Sequence, residues 1–200
     1  MTGFCQLNIG QLSRNRFWGE DDRAPRRPPL CVSSLLWHGD TLLLVDPCAP
    51  YEQMDKLIFN RAGRRVSEVT ALFFTHSHGD HTVDAARYEG IDLYVAPGSK
   101  GDWADSPLRE RLRLFPDVLL PEVHPVLLPG HTPALAGLIF PWQGRRALIA
   151  GDAVMTRDFF AAEIGYFNSA DFDAATQTIR KIKAEFDVVV PGHDAMIVVR

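Results

Sequence analysis

Cysteine is scarce in this chain of 200 residues: Cys5, Cys31 and Cys48 are all there are, odd in number and without a CxxC pair. That is poor material for a disulfide framework or a thiolate metal site, and it suits buried, inert thiols in a reducing cytoplasm. Long apolar runs are missing too. No stretch approaches the ~18 residues that a membrane span needs. The opening MTGFCQLNIGQLSRN lacks a basic segment followed by a long apolar one, so it does not read as a signal peptide. Nor is there an excess of positive charge: 21 Lys and Arg stand against 25 Asp and Glu, for a net charge of −4. A chain of that balance has no global attraction for nucleic acid. These absences point to a cytoplasmic, soluble protein with neither membrane nor nucleic acid as a partner. The length fits a single domain over residues 1–200 with a substantial core.

What the sequence does have is a mixture of strand-like and helix-like runs. Residues 4–9, 30–37, 41–46 and 69–75 read as strands, the second and third joined by His38-Gly39-Asp40 as a hairpin. Residues 51–63 carry Met54, Leu57 and Ile58 at helical spacing, with Gly63 as a stop. Short helices are expected over residues 83–90 and 101–115, the latter with Leu108, Leu112 and Leu114 on its apolar side. In the second half, 124–129, 135–142, 145–152 and 187–194 read as strands. Residues 171–186 read as a helix that buries Phe172, Ala175, Ile179 and Ile182. Between the first two strands lies a polar segment, residues 10–29, long enough to suggest a functional or mobile loop. The order implies an α/β fold of two packed sheets covered by helices.

Most of the chemistry sits just beyond strand ends. Thr75-His76-Ser77-His78-Gly79-Asp80-His81 follows an apolar run and holds three of the seven histidines. His131, Asp152 and His193 follow later apolar runs, each directly after a glycine. A lone loop histidine is usually a surface or hydrogen-bonded residue, which is the reading given to His38 and His124. Four potential ligands within six residues reverse that balance. Imidazole and carboxylate suit zinc first, with iron or manganese as alternatives. Five histidines and two carboxylates exceed the needs of one catalytic metal and suffice for two divalent ions.

The segment THSHGDH resembles the H-x-H-x-D-H signature of the metallo-β-lactamase superfamily, and LLLVDP, PGHT, GD and PGHD are similar to its other ordered motifs. This resemblance, over about residues 30–194, implies an αββα sandwich of two mixed β-sheets with helices on the outer faces. It implies that His76, His78 and His131 hold one metal, that Asp80, His81 and His193 hold a second, and that Asp152 bridges them. Asp46 matches an early family aspartate that orients the site without binding metal, and Cys48 reads as a filler of that turn. A hydroxide shared by two metals would then attack a small acyl substrate such as a lactone, ester or thioester, with Asp80 and Asp152 as catalytic carboxylates.

Flavodiiron relatives carry Glu where this chain has His78, and secreted zinc β-lactamases usually lack an aspartate like Asp152. Compact lactonases often have Tyr three residues after the bridging Asp, where this chain has Met155; Tyr166 is the candidate substitute. Alternatives are a mononuclear iron persulfide dioxygenase-like enzyme and a phosphodiesterase or nuclease of the same superfamily. Phe159, Phe160, Tyr166 and Phe167 read first as core, some of them as pocket wall. Phe17 or Trp18, in the long early loop, is expected to cover the site or to form a homodimer contact.

Overall fold

The computed structural model describes residues 2–200. Its first sheet has six strands in sequence order: β1 (Gly3–Gln6), β2 (Ser34–His38), β3 (Thr41–Val45), β4 (Ala71–Phe73), β5 (Asp92–Val95) and β6 (Leu112–Leu114). The expected hairpin forms between β2 and β3, with Ser34 opposite Val45 and Gly39 turning at φ +57°. From β3 to β6 the pairing is parallel. The second sheet has five strands, β7 (His124–Leu127), β8 (Ala136–Trp142), β9 (Arg145–Gly151), β10 (Val188–Pro191) and β11 (Ile197–Val198), in the order β11-β10-β9-β8-β7.

Alternation along the strands divides the apolar residues between layers. Leu43, Val45 and Phe73 of the first sheet pack with Leu138, Ile149, Val188 and Val190 of the second, so one core lies between the sheets. Leu42, Leu44 and Leu72 face outward and are covered by Met54 and Ile58 of α1 (Tyr51–Ala62). On the far side Leu148, Ala150 and Val189 meet Ile179 and Ile182 of α3 (Phe172–Glu185) and Phe160 of α2 (Arg157–Ala162). The result is the expected αββα sandwich. Asp171 caps α3, accepting a hydrogen bond from the Ala174 N–H at 2.9 Å. Gly130, at φ +134°, lets the loop before His131 rest on α3: a Cβ there would lie 2.2 Å from the Ala175 nitrogen.

Several local expectations fail for identifiable reasons. Residues 83–90 make only a 3-10 turn at Ala85–Arg87, because a segment this short cannot sustain a helix unaided. Residues 101–115 form two 3-10 turns, Lys100–Trp103 and Arg109–Arg111, followed by β6. Pro107 interrupts the helical ladder and disfavours helical geometry at Ser106, and Leu112 is drawn into pairing with Leu93. Leu114 and Phe172, expected on apolar helix faces, are exposed. The first strand ends at Gln6 rather than residue 9, and the second begins only at Ser34. Helix α2 lies where only an aromatic cluster was read.

The early loop is tied at its base. Gln11 and Leu30 exchange backbone hydrogen bonds at 2.8 and 3.0 Å, and Arg26 donates to the Ser13 carbonyl at 2.8 Å. No helix among the described residues is long and apolar enough to cross a membrane.

Candidate metal centre

Five chain segments bring their polar residues to one edge of the sandwich. Asp46 follows β3, His76 to His81 follow β4, His131 follows β7, Asp152 follows β9 and His193 follows β10. Their donor atoms form two groups that could each hold a metal ion: His76, His78, His131 and Asp152; and Asp80, His81 and His193. All seven ligands expected from the sequence are therefore gathered together. His38 and His124 lie in β2 and β7, outside both groups, and so does Cys48, a buried residue with its Sγ 4.0 Å from Met54 Sδ.

Asp152 joins the two groups. Its Oδ2 lies 3.3 Å from His131 Nε2 and 3.7 Å from His76 Nε2, while its Oδ1 lies 3.1 Å from His81 Nε2 and 3.2 Å from His193 Nε2. His78 Nδ1 completes the first group, 3.0 Å from His76 Nε2 and 3.1 Å from His131 Nε2. Asp80 Oδ2 completes the second, 3.7 Å from His193 Nε2 and 3.9 Å from His81 Nε2.

Glycines make this approach feasible. A Cβ on Gly192 would fall 2.0 Å from Asp152 Oδ1, and one on Gly151, at φ +50°, would strike the Thr75 side chain at 2.7 Å.

The outward nitrogens fix which ring atoms face the centre. His193 Nδ1 meets only carbonyl oxygens, those of Leu30 at 2.9 Å and Gln11 at 3.1 Å, so it must carry the donated hydrogen. His81 Nδ1 lies 2.9 Å from Asp46 Oδ2 and donates to that carboxylate. The Thr75 hydroxyl gives its proton to Asp46 Oδ2 at 2.7 Å and therefore accepts from His76 Nδ1 at 3.0 Å. In each case the Nε2 lone pair is left facing the centre when the ring is neutral. Asp46 also accepts from the Thr75 N–H at 2.8 Å, and its backbone takes φ +49° to turn the carboxylate inward.

Electrostatics match this arrangement. Burial opposes charge on His81, yet Asp152 and Asp46 outweigh it and hold the His81 pKa well above 6.5. Burial likewise opposes charge on His193, but Asp152 raises its pKa. Burial pushes His76 well below 6.5, with His81 adding repulsion, and it takes His131 down to about 4. Asp152 is buried, which favours its neutral form, but His193 and His81 keep it ionised. Protons thus accumulate on His81 and His193, on the Oδ1 side of Asp152, where a cation would neutralise the same charge. The buried His81 Nε2 and Asp152 Oδ1 have no hydrogen-bond partner although they lie 3.1 Å apart. With His81 neutral, two lone pairs would oppose each other at that distance, and an all nitrogen and carboxylate donor set of this kind fits divalent metal ions.

The Lactamase_B family, described as the metallo-beta-lactamase superfamily, matches residues 26–193. The chain belongs to the metallo-β-lactamase superfamily. Among curated proteins, an atrochrysone carboxyl ACP thioesterase, AgnL7 of Paecilomyces divaricatus, is 27% identical over 164 residues, 80% of this chain and 48% of that protein. The chain thus spans about half the length of that relative. Among solved structures, a single-residue variant of AiiA from B. thuringiensis, with N-decanoyl-L-homoserine in its active site, superposes with a TM-score of 0.70 at 16% identity, covering 96% of this chain and 92% of the other. AidC, a dizinc quorum-quenching lactonase holding its product, gives 0.66 at 16% identity over 82% and 72%. At these identities the solved structures show the shared superfamily fold.

A cleft of about 110 Å³ opens over the centre, walled by Leu12, Ser13 and Pro29 of the early loop and by Met155, Tyr166 and Asn168. Phe17 and Trp18 do not line it. Phe17 packs edge-on against Phe159 at 5.0 Å, and Trp18 Nε1 donates to Asp158 at 3.1 Å, so both rest against α2. The early loop instead contributes its base, and the carbonyls of Gln11 and Leu30 hold His193. Those two residues act through backbone oxygen, which leaves no mark in side-chain identity. Thr75 was the one legible omission: a hydroxyl directly before His76.

Proposed function

We propose that this superfamily member is a metal-dependent hydrolase that holds two divalent ions, with zinc the leading candidate, and cleaves a small acyl compound such as a lactone, ester or thioester. The observation that carries this reading is the split of Asp152, one carboxylate oxygen toward each ligand group. When bound, paired divalent ions supply Lewis acidity and bring the pKa of a water toward ~7. The chain's own residues do the rest. Nδ1 hydrogen bonds hold the imidazoles of His76, His81 and His193 with Nε2 inward, so no reorientation is required during turnover. Asp80 is the more exposed carboxylate, with 21% of its side chain accessible against 5% for Asp152. It is placed to orient a water or, through the carboxylate oxygen not turned to His81 and His193, to carry a proton toward the leaving group. Leu12 and Met155 offer apolar surface to an acyl chain, while Ser13, Tyr166 and Asn168 offer polar contacts.

The similarity to an ACP thioesterase and to lactonases supports a carbonyl rather than a phosphoryl substrate. The three free thiols are consistent with a reducing compartment such as the cytoplasm. Metal analysis of the purified protein, combined with lactone, thioester and phosphodiester panels, tests the reading. Two metal equivalents and acyl hydrolysis, lost in His78→Ala, are expected. One iron per chain with oxygen uptake, or cleavage of phosphodiesters alone, would overturn it.

A further inference from the structure

Resting on the reading of the cleft as an acyl-hydrolase site, we propose that Arg14 binds an anionic group, a carboxylate or phosphate, carried by the substrate at the outer end of the cleft. Arg14 directly follows Ser13, which lines the cleft, and its backbone carbonyl accepts the hydroxyl of Tyr166 at 3.2 Å. Its guanidinium lies 4.5 Å from the centroid of the Phe167 ring. Phe167 in turn sits between Tyr166 and Asn168, both of which line the cleft. Backbone and head group of Arg14 are therefore both held against segment 166–168, which forms one wall of the cleft.

Two other arginines of this loop are already engaged. Arg16 is paired with Asp22 and Arg27 with Glu20. No ion pair forms at Arg14 among the described residues, and its Nε is buried without a hydrogen-bond partner. A cation stacked on a ring, half withdrawn from water and lacking a counterion is costly to hold unless something anionic reaches it. A planar guanidinium with free N–H groups suits bidentate capture of a carboxylate or phosphate.

Calorimetric titration of the metal-loaded protein with glutarate and butyrate, a dianion and a monoanion of similar chain length, tests this. In the native protein glutarate should bind about tenfold tighter. Arg14→Gln should remove that advantage, and Arg14→Lys should keep part of it. Equal affinities in the native protein, or an advantage that survives Arg14→Gln, would overturn the proposal. Matched neutral and carboxylate-bearing esters separate the two readings. Acyl hydrolysis without a preference for the anionic ester rejects the role of Arg14 alone. Glutarate binding that depends on Arg14, with no acyl hydrolysis, rejects the reaction assignment alone.

Discussion

Replacing Asp46 with Asn should weaken metal binding at the His81 group while leaving the shape of the site almost unchanged. Asp46 is 1% exposed and accepts three hydrogen bonds, from the Thr75 N–H at 2.8 Å, the Thr75 hydroxyl at 2.7 Å and His81 Nδ1 at 2.9 Å. Asparagine has one acceptor oxygen and one amide nitrogen. If its oxygen stays on the Thr75 N–H, its NH2 faces both the Thr75 hydroxyl and His81 Nδ1. His81 Nδ1 must then become an acceptor, which moves the ring proton to Nε2, the atom facing Asp152 Oδ1 at 3.1 Å. A protonated Nε2 cannot ligate. Loss of such an orienting partner weakens metal affinity by about 10- to 100-fold, roughly 1.4–2.8 kcal/mol. Competition against a chromophoric chelator should show one equivalent bound more weakly and the other much less affected. Asp46→Asn with both affinities unchanged would refute the tautomer argument.

Other consequences follow from the same geometry. Gly192→Ala, whose Cβ would fall 2.0 Å from Asp152 Oδ1, should abolish binding of at least one metal equivalent, read by elemental analysis of folded protein; two retained equivalents would contradict it. In the metal-free protein, burial lowers His131 to about 4 from 6.5, so the folded state binds fewer protons than the unfolded one between those values. That group's contribution is full above pH 6.5 and is lost as pH falls toward 4, by about 3 kcal/mol. Urea unfolding of native protein and His131→Gln should therefore diverge over this window, and parallel curves would refute the assignment. Asp171→Ala removes the α3 cap and should cost about 1 kcal/mol, seen as a Tm lowered by roughly 2–4 °C; an unchanged Tm would show that the cap contributes nothing.

The candidate ligand set was legible because its members cluster or follow apolar runs that become strands; β4, β10 and the end of β9 are buried, whereas β7 before His131 is half-exposed. Which residues of 41–45 and 145–151 face the shared core was not legible, because Leu42 to Val45 form a continuous apolar run and only the packing of two layers separates Leu43 and Val45 from Leu42 and Leu44. Local helix expectations fared worse where packing competed with propensity. Leu112 satisfies its backbone by pairing with β5, and Pro107 removes the helical alternative, so 101–115 became turns and a strand.

Residue types and their order along the chain determined the two-sheet sandwich and named the seven candidate ligands. Only the folded chain decided that the two oxygens of Asp152 face different histidine groups, that Asp46 and Thr75 set the ring tautomers, and that the carbonyls of Gln11 and Leu30 anchor His193. These depend on ångström-scale distances between segments up to 182 residues apart, and backbone carbonyls carry no side-chain identity for a sequence to display.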